Sequence, residues 1–122
     1  MSQFQALLPE VQAEDCAPLL MDIELADMLV MTVAWVRAHA IEIPGFQRLG
    51  SYYRFRSNEV KRWLGSLDQL LEAEPVAFLL KVPVSWVDAN ADQIPGVVRL
   101  GRYVRFRPAV INRFLGGSEV VQ

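Results

Sequence analysis

Apolar positions along residues 19–67 switch from a helical to an alternating period and back. Ile23, Ala26 and Leu29 recur at three-residue spacing and predict a short helix of about two turns, with Asp22 as its N-cap. Val33, Val36 and Ala40 then share one face of a second helix, which Thr32 can cap and which runs through Ala40. The gap between the two is only about two or three residues, and two short helices joined so tightly form a helix-turn-helix. Ile43-Pro44-Gly45 stops the second helix, because proline lacks the next backbone donor and glycine accepts turn dihedrals.

Extended chain comes next. Phe46–Leu49 and residues 52–56 read as two strands joined by Gly50-Ser51, and glycine first in a two-residue loop suits a type II′ hairpin turn. Alternation places Tyr52, Arg54 and Arg56 on one face and Tyr53 and Phe55 on the other. The apolar face is expected to cover the helices while the Tyr-Arg-Arg face looks outward. Ser57 is a candidate cap for a third helix, whose apolar stripe Val60, Trp63, Leu64, Leu67, Leu70 and Leu71 continues past Gly65. That stripe predicts a helix that also connects to the second half of the chain and ends at Pro75.

The second half is the same unit again. Ile43-Pro44-Gly45 through Arg56 returns as Ile94-Pro95-Gly96 through Arg107, a constant offset of 51 residues that needs no gap from 25–64 against 76–115. Roughly half the aligned residues are identical, and register kept this long is the signature of an internal repeat. In the second hairpin the faces are Tyr103, Arg105, Arg107 and Val104, Phe106, the loop is Gly101-Arg102, and Pro108 can open the closing helix. The division is therefore an N-terminal arm (1–18), a first unit (19–67), a connecting helix or linker (68–74), a second unit (75–116) and a C-terminal tail (117–122). A unit of this size is marginal alone, so the two are expected to pack together as a two-lobed body.

Composition narrows the class. The chain has 122 residues, 52% of them hydrophobic. It shows neither a secretory pattern nor an apolar run near the ~20 residues that span a bilayer. Its one cysteine, Cys16, excludes an internal disulfide, so a cytoplasmic protein is expected. The formal charge is −2, yet ten of the 12 basic residues fall in windows 48–62 and 99–113, where Glu59 is the single acid. Local charge governs binding more than the total does. The lone His39 and Cys16 have no triad partners, and there is no metal-ligand cluster or glycine-rich phosphate loop. Catalysis, a metal and a cofactor are accordingly not expected.

The wording of each unit resembles the excisionase/MerR-type winged helix-turn-helix family, of the AlpA and Xis kind. The residues that carry the likeness are Leu25-Ala26 and Leu29, Trp35-Val36, Pro44, Arg48-Leu49-Gly50, Tyr52-Tyr53-Arg54-Phe55 and Val60 with Trp63-Leu64. The second unit repeats them through Val82-Pro83-Val84-Ser85-Trp86-Val87, Pro95, the stretch from Val98 to Phe106, and Ile111 with Phe114-Leu115. The resemblance implies an α+β, mainly α fold of two tandem winged helix-turn-helix units. It also implies double-stranded DNA binding, in recombination directionality or transcriptional control on a mobile element. An integrase, recombinase or RNA polymerase, and further copies of the chain on DNA, are the partners it suggests; no membrane is involved.

Candidate contacts come from charge and from the resemblance. The wings and backbone contacts are assigned to Arg48, Tyr52, Arg54 and Arg56, and to Arg99, Arg102, Tyr103, Arg105 and Arg107, since guanidinium geometry suits phosphate. By resemblance, the reading helix presents Thr32, Ala34, Trp35, Arg37 and His39 in the first unit and Ser85, Trp86 and Asn90 in the second. Asp88 and Asp92 would repel a phosphate backbone and weaken base reading by the second unit. The competing expectation is a protein-interaction adaptor built on the same fold.

Overall fold

The computed structural model describes residues 17–116; all but the last two residues of the expected arm, and the whole expected tail, lie outside them. Among the described residues it is a small α+β domain with six α-helices and two antiparallel sheets. The first unit runs β1 (Leu20–Met21), α1 (Asp22–Leu29), α2 (Val33–Ala38), a 3₁₀ turn (Ala40–Glu42), β2 (Phe46–Leu49), β3 (Tyr52–Phe55) and α3 (Ser57–Leu64). The second runs α4 (Ala73–Leu80), α5 (Val84–Asn90), a 3₁₀ turn (Ala91–Gln93), β4 (Val97–Leu100), β5 (Tyr103–Phe106) and α6 (Pro108–Phe114).

The hairpins form in the expected register, with Leu49 opposite Tyr52 and Leu100 opposite Tyr103. Gly50 and Gly101 take φ +65°, as the first residue of a type II′ turn requires. Thr32 caps α2 by accepting from the Trp35 N–H at 3.0 Å. Gly45 and Gly96 hold positive φ where each carbonyl accepts from the backbone of Arg56 or Arg107 at 2.9 Å, fastening hairpin to closing helix.

Other elements depart from the sequence pattern. The repeat begins earlier than the run of identities: Leu20 pairs with Phe55, and Leu71 exchanges two backbone hydrogen bonds with Phe106. α1 starts at Asp22 with Met21 as its cap, because Glu24 reaches back to the Met21 N–H at 2.8 Å and Asp22 is turned toward Arg37. α2 ends at Ala38, and the remaining turn tightens into the 3₁₀ segment. Ser57 is the first residue of α3, not its cap; its hydroxyl donates to the Pro18 carbonyl at 2.7 Å. The connecting helix does not form. Gly65 caps α3 at φ +86°, residues 66–72 are non-helical, and the stripe continues in space because Leu70 is buried in the core of the first unit. Pro75 sits inside the first turn of α4, where a missing N–H costs no helical bond.

Leu25, Leu29, Val36, Phe55, Val60 and Leu64 centre the core of the first unit, and Val76, Val87, Phe106 and Ile111 that of the second. The second hairpin joins both. Val97, Val104 and Phe106 pack on the second core, whereas Val98 and Leu100 are buried in the first. Burial of each of those two is worth about 1.5–3 kcal/mol.

Candidate nucleic-acid interface

The two units place equivalent residues in different surroundings. Arg105 and Arg107, expected on an outward face, instead turn onto the first unit. Arg105 is only 9% exposed. It donates from Nε to the Leu29 carbonyl at 2.9 Å and from Nη2 to the Val30 carbonyl at 2.7 Å, with Nη1 on the Val104 carbonyl at 2.8 Å. Glu72 lies 3.8 Å away. Arg107 reaches the Trp63 carbonyl at 2.9 Å and the Val97 carbonyl at 3.3 Å.

The cause is the end of α1. Val30 leaves the helix at φ +56°, a left-handed conformation unfavourable for a β-branched residue, and the last carbonyls are left without intrahelical donors. The second unit and the linker supply them for Met28, through the Leu70 N–H at 2.8 Å, and for Leu29 and Val30, through Arg105, while the Gln69 side chain adds a second donor at 3.0 Å to the Asp27 carbonyl that the Val30 N–H already meets. A guanidinium at a helix C-terminus also meets the negative end of the helix dipole. Arg105 and Arg107 therefore join the units and are not presented to a phosphate backbone.

Among the described residues, the same face of the first hairpin has no second unit packed on it. Tyr52 and Arg56 are exposed, Arg54 is half-buried with its Nη1 on the Tyr53 carbonyl at 2.9 Å, and Arg54 lies over the Tyr52 ring. At the tips, Arg48 is exposed and its Nε donates to the Gly50 carbonyl at 2.8 Å, which closes the turn. Arg99 instead pairs with Asp92 at 2.9 Å. The exposed Arg102 donates to the Tyr103 hydroxyl at 3.4 Å, and this bond raises its already high pKa, so that its charge is permanent.

On α2 and α5, Ala34, Ser85 and Trp86 are exposed, and the Asn90 side chain donates to the Trp86 carbonyl at 2.9 Å. Trp35 is half-buried against the first core and stacks on His39 at 4.1 Å, whose Nδ1 lies 2.9 Å from the Trp35 carbonyl. Thr32 is committed to its cap. Arg37 remains more than half exposed, its Nε donating to Asp22 at 2.7 Å. Its Cζ lies 5.6 Å from the centre of the Tyr53 ring, which Arg48 approaches to 4.7 Å.

That grouping links α2 to the first hairpin through Tyr53, a residue that strand alternation assigns to the inward face alone. No family model matches the chain, and no curated protein or solved structure does so either. The site is therefore judged on its own geometry. Where the first unit has Arg37, Tyr53 and Ile41, the second has Asp88, Val104 and Asp92. One surface is cationic and aromatic; its counterpart is acidic, with its arginine neutralised. Among the described residues, no three histidine, cysteine or acidic side chains gather as a metal site, and no helix is long and apolar enough to cross a membrane.

Proposed function

We propose that the chain binds double-stranded DNA through its first unit, which acts as a winged helix-turn-helix while the second serves as its structural mate. The observation that supports this is the strip Arg37, Tyr53 and Arg48, spanning α2 and the hairpin, with Arg48 in no ion pair among the described residues. In this arrangement α2 enters the major groove, where Arg37 can pair with guanine, and the hairpin tip lies on the backbone. Asp22 fixes the Arg37 guanidinium through Nε, so the terminal nitrogens are already oriented for a bidentate contact. The resemblance to excisionase and MerR-type proteins supports recombination directionality or transcriptional control as the setting.

Salt-dependent DNA binding tests the reading. Arg48→Ala removes no buried packing, since among the described residues that exposed side chain bonds the turn carbonyl and lies over Tyr53. It should weaken binding to any duplex and lower the log–log salt slope by about 0.9. Arg99→Ala, at the equivalent position beside Asp92, should do neither. Equal effects of the two, or none from Arg48→Ala, would remove the strip as the contact surface. An adaptor function, which the apolar surface of the second unit favours, requires no DNA binding at all.

A further inference from the structure

The joint between the units is heterologous: the hairpin face of the second unit sits on the α1 end of the first, and the two surfaces differ. A repeat that uses such a joint once leaves one half of it unused at each end. At one end the hairpin face that is uncovered among the described residues carries Leu49, Tyr52, Arg54 and Arg56, identical to Leu100, Tyr103, Arg105 and Arg107 at the joint. At the other end the free receiving face carries Leu79, Trp86 and Phe114, at the positions of Met28, Trp35 and Trp63.

Exposure matches this division. Leu49 is 44% exposed and its joint counterpart Leu100 is 3%; Leu79 is 41% and its counterpart Met28 is 8%. Trp86 and Phe114 are exposed, while Trp35 and Trp63 are half-buried. The acceptors are repeated as well. Lys81 leaves α4 at φ +59°, as Val30 leaves α1 at φ +56°, and among the described residues the Leu79, Leu80 and Lys81 carbonyls receive no donor. In the joint the equivalent Met28, Leu29 and Val30 carbonyls take the Leu70 N–H and the Arg105 guanidinium.

We infer that a second copy of the chain docks here, its Arg54 on the Leu80 and Lys81 carbonyls and its Leu49 against Trp86, continuing the intrachain joint from one molecule to the next. The occupant is a second copy because the free face already carries the arginine fork, the apolar residue and the tyrosine that fit this acceptor within the chain. The association is weaker than the intrachain joint. Pro18 replaces Gln69, Met21 replaces Glu72, Gln47 replaces the buried Val98, and the covalent tether that raises effective concentration is missing. The contact is head to tail, so it propagates until a rotation closes it.

Sedimentation velocity of the full chain without DNA tests this independently of the proposed function. The wild type should gain mass with concentration. Arg54→Glu blocks one face and Trp86→Glu the other, and each alone should stay monomeric. Mixed in equal amounts they should form a dimer and nothing larger, since one intact face of each kind remains. Leu49→Asp and Phe114→Asp, at exposed positions, repeat the test should either first variant fail to unfold cooperatively. A wild type that stays monomeric, single variants that still assemble, or a mixture that does not pair would each overturn the inference.

Discussion

Arg54 and Arg105 occupy the same place in the repeat, yet the structure assigns them very different energies. Arg105→Ala removes two charged hydrogen bonds across the joint, to Leu29 and Val30, and leaves both carbonyls without that donor. Hydrogen bonds involving a charged group contribute about 1.5–3 kcal/mol each. Two such bonds, partly offset by rehydration of the carbonyls, set the expected loss at about 3 kcal/mol. For a domain of this size, that lowers the midpoint of thermal unfolding by about 10 °C. Arg54→Ala removes a bond to its neighbour's carbonyl and a contact with Tyr52 on an open surface, which should change stability by less than about 0.5 kcal/mol. Urea unfolding followed by circular dichroism, at a concentration where the chain is monomeric, measures both. Arg105→Lys should fall between, keeping the charge but losing the fork. Equal losses at 54 and 105, or a loss at 105 below about 1 kcal/mol, would refute the assignment of Arg105 to the joint.

Glycine substitutions should separate turn conformation from crowding. A Cβ at Gly96 would stand 3.0 Å from the Val110 Cβ at φ +92°, whereas one at Gly101, at φ +65°, meets nothing within 4 Å. Gly96→Ala is therefore expected to cost more than Gly101→Ala, by about 1–2 kcal/mol, and equal midpoints in urea would contradict it. If the chains join head to tail while their first units hold DNA, binding to a long duplex should be cooperative. Trp86→Glu should then reduce the Hill coefficient toward one and leave affinity for a single short site unchanged, as read by fluorescence anisotropy. A coefficient unaltered by that change would separate assembly from DNA binding.

Local chemistry made most of the elements legible. Pro44-Gly45, Gly50-Ser51 and their copies punctuate the chain, and Thr32 marks a helix start, because backbone dihedrals and caps are set by residues within a few positions. The connecting helix failed for the converse reason: the stripe through Leu67, Leu70 and Leu71 satisfies a helical period, but Gly65 takes a left-handed cap and Leu70 finds its burial in the first core. The partners of the arginines were hidden. Tyr-x-Arg-Phe-Arg is the same in both hairpins, and nothing local says which copy has a neighbour. One signal was present. On that face Gln47 of the first hairpin becomes Val98 of the second, the polar-to-apolar change expected where a solvated surface becomes a buried one. Tyr53 escaped for a related reason, since a ring half-buried on the core side still offers a face to the two guanidiniums beside it.

The differences between the copies sort by location. On the reading surface the second unit replaces Arg37, Ile41 and Tyr53 with Asp88, Asp92 and Val104, a reversal of charge that removes its attraction for an anion. On the joint surface the two copies keep leucine, tyrosine and both arginines, although among the described residues only one set packs on the other unit. A hairpin face needed only for solubility would be served better by polar residues than by an exposed leucine and tyrosine. A charge-reversed α2 surface beside a joint surface that keeps its arginines, leucine and tyrosine while Gln47 becomes Val98 fits a proposed division of labour. In the proposed arrangement the first unit meets the charged ligand, the second carries the receiving end, and every molecule added to a head-to-tail array contributes one cationic strip and one acidic counterpart. That alternation also reconciles an overall charge of −2 with a local surface suited to phosphate.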